Sequence, residues 1–326
     1  MNAPAAAGPA LTDNLLNLGR WLQSTGYRFT TVTPATHARV NARPEAQAAC
    51  SVRDIFGWSR PFAPRLLPDA VRELLRQGGL VEERGDGTWL SRVRFSTVAG
   101  QLYAHSAWPT SDEGAVFLGP DTYRFTDLIV AELKREPLPT GARILDMGCG
   151  SGAGGLAAAQ ATSAQGPRLV LADINPQALH FAAANAALAG QLAVEFAQGD
   201  LYAAVEETFD LIVANPPYLN DAAERTYRHG GGQWGEGLSE RIVREGLPRL
   251  APGGRLVLYT GAAMVDGSDP LFDSLQPALK SADFPWRYRE LDPDVFGEEL
   301  QEQAYARAER IAAVALVVSR PGPCGA

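Results

Sequence analysis

Cysteine and histidine are scarce in this chain of 326 residues. Three cysteines cannot pair evenly, and neither they nor the four histidines fall at the short spacings typical of metal ligands. The sequence therefore predicts no disulfide framework and no metal site. Unpaired cysteines are typical of a reducing compartment, so we expect a cytoplasmic protein. The residues concerned are Cys50, Cys149 and Cys324, and His37, His105, His180 and His229.

Long apolar runs are also missing. No stretch approaches the ~20 residues that a helix needs to span a bilayer. The first ten residues, MNAPAAAGPA, lack the basic start and apolar core of a secretory signal. A content of 46% hydrophobic and 20% charged residues is typical of soluble globular proteins. We therefore expect a protein that is neither exported nor embedded in a membrane.

The chain lacks an excess of positive charge. Its formal net charge is -8, and the deficit lies in the second half: residues 1–140 hold 15 Lys/Arg and 14 Asp/Glu, whereas residues 141–326 hold 14 and 23. Binding to a phosphate backbone regardless of sequence needs clustered cations. The charge pattern therefore favours a protein over a nucleic acid as the macromolecular partner, without excluding a local basic groove.

The first half of the chain predicts a small α+β domain. Residues 1–10 are rich in Ala, Pro and Gly and are expected to form a disordered tail, whereas apolar residues recur at helical spacing over 11–25. A second helix at 69–76 is followed by a Gly-Asp-Gly turn within a strand-like region. The predicted strands are 80–83, 88–98 and 101–105.

A helix followed by a hairpin is typical of winged-helix-like modules, which bind DNA or dock to proteins. The helix at 69–76 carries two arginines among its acids, which does not favour phosphate contact. We therefore expect residues 11–110 to form a substrate-recognition or docking domain, and residues 111–139 to connect it to the second half.

The second half alternates strand-like apolar runs with alanine-rich helical stretches, a pattern typical of βαβ units and a parallel sheet. The sequence predicts an α/β domain over 140–326 with seven strands. The strands are 143–147, 168–173, 194–196, 211–214, 255–260, 286–291 and 311–318, and the helices are 152–161, 176–189, 239–250, 270–280 and 299–310.

A glycine-rich loop, residues 148–152, follows the first of these strands. Ligands of doubly wound sheets bind at the carboxyl ends of strands, and glycines let a ligand approach the backbone closely. Gly148, Cys149, Gly150 and Gly152 are therefore candidate cofactor-binding residues. The loop alone is compatible with S-adenosylmethionine, with a dinucleotide or with a purely structural turn.

Three acidic residues lie at or after strand ends. Asp173, with Ile174 beside it, is placed to accept hydrogen bonds from ribose hydroxyls. Asp200 is placed to accept from an adenine amino group while Leu201 covers the ring, although a turn or helix cap explains Asp200 equally well. Asp146 either faces the ammonium group of a methionine moiety or binds amides of the loop.

The segment Asn215-Pro216-Pro217-Tyr218 follows the strand at 211–214. An amide or arylamine nitrogen shares its lone pair with a π system and is a poor nucleophile. The Asn215 side-chain oxygen and the Pro216 carbonyl can each accept one N–H of such a nitrogen and localise that pair. Pro217 removes a backbone donor, and Tyr218 offers a flat face for stacking. A plain loop leaving a strand is the alternative interpretation.

The motifs LDMGCGSG, ADIN, GDLY and NPPY, in this order, resemble those of class I S-adenosylmethionine-dependent methyltransferases. Within that class the spacing is most similar to the HemK-like protein-glutamine methyltransferases, as is the segment 230–254. The resemblance covers residues 115–262. It implies a Rossmann-like seven-stranded domain, S-adenosyl-L-methionine as cofactor, and Asn215 at both cofactor and acceptor. It also implies methylation of a planar nitrogen, that of a protein glutamine first.

Two other functions remain open: methylation of an adenine or guanine base in RNA or DNA, and nonenzymatic regulation by S-adenosylmethionine binding. The HemK-like pattern Arg-Pro-x-Thr-Glu is replaced by GPDTYRFTD at 119–127. Tyr123 and Phe125 in this segment are candidates for the substrate-side wall, or else core residues. His229 flanks the glycines of 230–254. The acidic run 292–299 is expected to be a solvated loop, with a lid or a cation site as alternatives.

Overall fold

The computed structural model describes residues 8–110, 112, 114–191, 193–221, 225 and 227–322. In the N-terminal part, hairpins pair β1 with β2 and β3 with β4, both antiparallel. The elements are α1 (Gly8–Ser24), α2 (Pro34–Asn41), α3 (Val52–Phe56), α4 (Asp69–Gln77), β1 (Val81–Glu83), β2 (Trp89–Ser91), β3 (Val93–Val98) and β4 (Gln101–Ser106).

Helix α1 forms because Leu15, Leu18 and Leu22 lie on one face and are all fully buried. It begins at Gly8, so residues 8–10 are helical rather than part of a disordered tail. The Asn14 side chain donates to the Ala10 carbonyl at 2.7 Å and so holds the first turn. Residues 1–7 of the predicted tail lie outside the described residues.

The predicted strand at 88–98 is two strands. The Ser91 hydroxyl donates to the Val93 carbonyl at 2.7 Å and accepts from the Val93 N–H at 3.2 Å, which interrupts the ladder at Arg92. The short helices α2 and α3 were not predicted. Nor was α5 (Pro120–Arg135), which lies in the segment expected to be a connection and buries Phe125 and Ile129.

A seven-stranded sheet forms the centre of the second half, in the order β10-β11-β9-β8-β5-β6-β7. The predicted strands and the first four predicted helices are confirmed within a few residues, except at β9, which is longer at both ends. The elements are β5 (Arg143–Met147), α6 (Ala153–Ala161), β6 (Arg168–Asp173), α7 (Pro176–Leu188), β7 (Val194–Gln198), β8 (Phe209–Ala214), α8 (Gly237–Gly246), β9 (Leu250–Val265), α9 (Pro270–Ala282), β10 (Trp286–Asp292) and β11 (Ala308–Ser319).

The predicted seven-stranded α/β domain is confirmed, and its sheet is mixed. Strand β11 runs antiparallel to both β10 and β9, whereas β5 to β9 pair in parallel. A parallel pairing of β10 with β11 would need a crossover connection. The predicted helix at 299–310 would lie in that connection, and it is wrong. Short 3-10 turns occupy Gly297–Gln301 and Gln303–Tyr305, and Ala308 already pairs with Val265 of β9.

The N-terminal part packs on helix α7. Phe181 of α7 is buried in a cluster with Leu15 and Phe95. The Asn185 carboxamide accepts from the Ala104 N–H at 2.7 Å and donates to the Ala104 carbonyl at 3.0 Å and the Ser151 carbonyl at 2.9 Å. One side chain therefore ties β4 to the glycine loop. No helix in the described part of the chain is long and apolar enough to cross a membrane.

Candidate active site

A cleft of about 450 Å³ opens at the carboxyl ends of β5, β6, β7 and β8. Clefts of this size and place in an α/β sheet are typical of small-molecule sites. The predicted site residues that line it are Gly148, Gly150, Asp173, Ile174, Asp200, Leu201, Asn215, Pro216, Pro217 and Tyr218.

The glycine loop forms the floor of this cleft. Gly148 and Gly150 have φ values of +68° and +52°, and a Cβ atom on either would meet no atom within 4 Å. The Gly148 and Cys149 N–H groups donate to the Ala172 carbonyl, each at 2.9 Å. Glycine is thus required here by backbone conformation, and it leaves the space in front of the loop open to a ligand.

Asp173 is held by the backbone around it. Its Oδ2 accepts from the Gly150 N–H at 2.8 Å and its Oδ1 from the Asn175 N–H at 2.9 Å. Burial raises the pKa of the Asp173 carboxyl, which these N–H bonds oppose. A carboxylate has about four lone-pair sites, so two remain for a ligand. Beside it, Ile174 is 54% exposed although it is a large apolar residue.

Asp200 and Leu201 form the end of the cleft beyond β7. Leu201 is buried with a φ of +47°, a conformation that is rare for a branched apolar residue. Asp200 is exposed and pairs with Arg241 at 3.1 Å. It occupies the N-cap position of the 3-10 turn Leu201–Ala204, but its side chain caps no N–H there. The contacts of Asp200 therefore do not support the alternative that its carboxylate is a helix cap.

Three predicted binding residues lie behind the cleft instead of lining it. Asp146 is buried and its Oδ2 accepts from the Gly155 N–H at 2.7 Å, which is the loop-amide alternative. Cys149 is buried, and burial raises its thiol pKa. Gly152, at φ +79°, packs against Leu171. These three residues therefore support the conformation of the glycine loop from its buried side.

The Asn-Pro-Pro-Tyr segment leaves β8 along the cleft wall. Asn215 is partly exposed, and its carboxamide makes no hydrogen bond to any of the described residues. Tyr218 is buried, its hydroxyl donates to Asp121 Oδ2 at 2.6 Å, and its ring meets Phe296 edge-on with centroids 5.8 Å apart. The amide of this segment is therefore free for a ligand, while the phenol is not.

Asp121 was missed in the sequence. It lines the cleft with Thr122 and accepts hydroxyl donors from both Tyr218 and Tyr259. A signal for it existed, because Pro120 and Thr122 keep the proline and threonine of the pattern Arg-Pro-x-Thr-Glu and place an acid between them.

Tyr123 and Phe125 do not reach the cleft, so their assignment to the substrate-side wall is corrected. Phe125 is a core residue against Tyr259, with ring centroids 6.3 Å apart. The Tyr123 hydroxyl accepts from the Thr31 N–H at 2.9 Å and ties α5 to the N-terminal part. Both point away because α5 presents that face to the core.

The cleft also has an aromatic wall, which comes from three separate segments. Phe117 stacks on Tyr227 at 6.3 Å with an angle of 20° between the rings. Phe296 comes from the acidic run 292–299, which is only in part the solvated loop that was predicted, because Pro293, Asp294, Gly297 and Glu298 are exposed. Val295 and Glu299 in that run are buried, and Val295 N–H donates to the Ile311 carbonyl at 2.8 Å.

Arg228 and His229 complete this wall. Arg228 pairs with Glu299 and lies 3.5 Å from Asp221, so it ties the loop after β8 to the run 292–299. His229 Nδ1 accepts from the Asp221 N–H at 3.2 Å. Within the described residues, no group of His, Cys, Asp and Glu is arranged to hold a metal ion. Cys324 lies outside those residues.

Comparison with known proteins identifies this arrangement. Residues 112–266 match the family model of the methyltransferase small domain. A release factor glutamine methyltransferase from Deinococcus radiodurans is 35% identical over 230 residues, which is 66% of this chain and 78% of that relative. The chain therefore belongs to the family of the HemK-like release factor glutamine methyltransferases, which contains the methyltransferase small domain.

Further relatives match over shorter stretches. A release factor glutamine methyltransferase from Koribacter versatilis is 34% identical over 43% of this chain and 53% of its own length. Ribosomal RNA small subunit methyltransferase C from Sodalis glossinidius is 29% identical over 50% of this chain and 48% of its own. The crystal structure of a methyltransferase from Pyrococcus furiosus has a TM-score of 0.40 and 18% identity, over 59% of this chain and 83% of that one.

The methyltransferase uses S-adenosyl-L-methionine, and its cleft has the features that this molecule requires. The space that a Cβ would take at Gly148 and Gly150 is open to the cleft. Asp173 has free lone pairs for ribose hydroxyls, and the exposed Ile174 offers an apolar surface beside it. When bound, the cofactor supplies an electrophilic methyl group.

Proposed function

We propose that this methyltransferase transfers a methyl group to the side-chain amide nitrogen of a protein glutamine. The observation that carries the proposal is the position of Asn215, whose carboxamide lies in the cleft without a partner among the described residues. A polar side chain kept free in a largely apolar cleft is suited to a ligand that presents the complementary hydrogen bonds.

The residues act on the acceptor by hydrogen bonding alone. Asn215 Oδ1 and the Pro216 carbonyl would each accept one N–H of the acceptor amide, which localises the nitrogen lone pair and stabilises the charge that develops there. As the new N–C bond forms, the bond from the sulfonium sulfur to the methyl carbon would break and leave the neutral thioether of S-adenosylhomocysteine. The methylated nitrogen would then release one N–H proton to solvent. The Tyr218 ring offers a flat face on which the planar acceptor amide stacks. Burial raises the pKa of the Tyr218 phenol, and its proton is donated to Asp121, so this group is not a base at neutral pH. Pro217 keeps a backbone donor out of the site.

The cofactor contacts are part of the same proposal. Gly148, Gly150, Asp173 and Ile174 hold the ribose and methionine parts, and Asp200 and Leu201 hold the adenine. We assign catalysis to residues 140–326 together with α5, and acceptor docking to residues 11–110. We also propose that the reaction takes place in the cytoplasm and that its acceptor is a protein, as release factors are for these relatives.

A nucleic-acid base is the second candidate acceptor. The stacked pair Phe117–Tyr227 and the ring of Phe296 give the cleft an aromatic wall suited to a flat heterocycle. The net charge of the catalytic half, with 14 basic and 23 acidic residues, opposes this acceptor. We therefore rank it below glutamine.

The test is to incubate the purified protein and tritiated S-adenosylmethionine with cell extract, and then to digest with protease or with nuclease. We expect label that is released by protease and resists nuclease, and mass spectrometry of the peptides should place the methyl group on a glutamine nitrogen. Release of the label by nuclease would show that the acceptor is a nucleic-acid base and not a glutamine. If the protein binds the cofactor but no label is transferred, the result would favour a nonenzymatic regulator that binds S-adenosylmethionine.

A further inference from the structure

The Asp121 carboxylate is shared between two phenols. Tyr218 donates to its Oδ2 at 2.6 Å and Tyr259 donates to its Oδ1 at 2.7 Å. The three residues come from α5, the segment after β8, and β9, and both tyrosines are at least nine-tenths buried. Hydrogen bonds to an ionised acceptor are about twice as strong as neutral ones, so the two phenols are held firmly in place.

The charge of Asp121 has a close counterion in Arg124. Arg124 lies 3.4 Å from Asp121 Oδ1 and 2.7 Å from Asp292 Oδ2. Burial raises the pKa of Asp121, whereas both phenols and Arg124 lower it. Asp292 begins the acidic run whose Phe296 touches the Tyr218 ring. Through Arg124 and Asp292, Asp121 is therefore linked to the segment that places Phe296 against the Tyr218 ring.

The Tyr218 ring has little freedom apart from this bond. A Cβ built on Gly261 would come within 2.3 Å of its Cδ2, so one side of the ring lies directly on β9. Phe296 closes on it edge-on. The remaining motion is sliding along β9 into or out of the cleft, and the hydrogen bond to Asp121 at the far end of the phenol opposes that motion.

We propose that Asp121 is a positioning residue for methyl transfer, which acts through Tyr218 by fixing the ring against which the acceptor nitrogen is presented to Asn215. The inference rests on the proposed function, because it takes Tyr218 as part of the acceptor site. Asp121 lines the cleft, but its contacts are with protein groups. Its two oxygens are committed to Tyr218, Tyr259 and Arg124, which leaves the ring of Tyr218 as its means of action.

The test compares Asp121→Asn with Asp269→Asn in the full chain. Asp269 is a matched control because it accepts the Tyr288 hydroxyl at 2.6 Å beside α9, outside the cleft. An asparagine at 121 has one side-chain oxygen, so it cannot accept from the two phenols in their present positions, where each donates to a different oxygen. We expect kcat to fall by about 10- to 100-fold, as misplacement of a reacting group does, with little change in the affinity for S-adenosylmethionine. Asp269→Asn should keep the wild-type kcat.

A second variant separates positioning from general loss of structure. Tyr218→Phe keeps the ring and removes only the hydroxyl, so its kcat should fall as in Asp121→Asn, and the double variant should be no slower than either. Fully additive losses would overturn the proposal, because they would show that Asp121 acts independently of Tyr218. So would a loss of cofactor affinity in Asp121→Asn that accounts for the lower rate.

The crystal structure of Asp121→Asn gives a readout that does not need the acceptor. We expect the Tyr218 ring to shift relative to Gly261, and an unmoved ring would overturn the proposal. Failure of the proposed function looks different: the wild-type protein would then methylate no glutamine, while its Tyr218 ring would still move on substitution of Asp121.

Discussion

The ring of Tyr218 lies directly on the backbone of Gly261. A Cβ atom at Gly261 would come within 2.3 Å of the ring Cδ2 and 2.4 Å of Cε2, far inside van der Waals contact. Gly261 lies in the middle of β9 and pairs with Ala313 of β11, so its backbone has no room to retreat. The Tyr218 ring can therefore occupy its place at the cleft only because residue 261 of β9 is a glycine.

Gly261→Ala should lower kcat with little effect on the affinity for S-adenosylmethionine. The added methyl group pushes the Tyr218 ring toward the cleft, and overpacking of this kind costs about 1–3 kcal/mol of folding free energy. Urea unfolding measures the second effect. Gly85→Ala is the control, since a Cβ there meets no atom within 4 Å. Equal turnover in Gly261→Ala and wild type would contradict the assigned role of the ring.

Asn215→Ala should abolish transfer and leave cofactor binding nearly intact. Loss of one preorganised hydrogen-bonding group at a reacting centre costs roughly 100- to 1000-fold in rate. The Asn215 side chain has no partner in the described part of the chain, so its removal should not destabilise the fold. Single-turnover transfer, isothermal titration with S-adenosylmethionine and thermal unfolding measure the three quantities. Wild-type turnover in this variant would refute the mechanism.

The sheet and its glycine loop were predictable because their signals are local. Buried parallel strands read as continuous apolar runs, and β5 and β6 were predicted to the residue. The loop at 148–152 follows β5 directly, so its place at the carboxyl edge follows from the fold class. The positions of Asp173 and Asn215 in the cleft follow from the same rule.

The missed features depend on contacts between distant parts of the chain. Asp121 and Tyr218 are 97 residues apart in sequence, and Arg228 and Glu299 are 71 apart. Nothing in the acidic run 292–299 shows that Glu299 will be buried by an arginine from another loop. The helix predicted at 299–310 is also wrong for a non-local reason at its end, because pairing with β9 from Ala308 onward outweighs local helix propensity.

Gly150→Ala should weaken S-adenosylmethionine binding by more than it weakens the fold. The φ of Gly150 is +52°, so alanine is strained by about 1 kcal/mol, and its methyl group enters the open cleft. Gly166→Ala is a matched control, with φ +58° and no atom within 4 Å of its Cβ, but outside the cleft. Titration calorimetry should show reduced affinity in the first variant alone. Equal affinities in both would contradict the placement of the cofactor on this loop.

Asp146 predicts how stability depends on pH. Burial raises its pKa from 3.8 to about 7, the hydrogen bond from the Gly155 N–H opposes this rise, and the negative charge of Asp173 adds to it. Between those pH values the folded protein holds a proton that the unfolded chain releases. The free energy of unfolding should therefore fall as the pH rises from about 4 to about 7, by up to about 1.4 kcal/mol per pH unit for this one proton.

Asp146→Asn removes this titration and keeps an oxygen for the Gly155 N–H, which donates to Asp146 at 2.7 Å. Urea unfolding at about pH 5 and about pH 7.5 should show a smaller loss of stability in the variant than in wild type, because the neutral amide has no proton to release. Asp121 and Asp173, whose pKa values burial also raises, remain in both proteins and leave a residual slope. Parallel slopes in the two proteins would show that Asp146 is already ionised in the folded state at about pH 5.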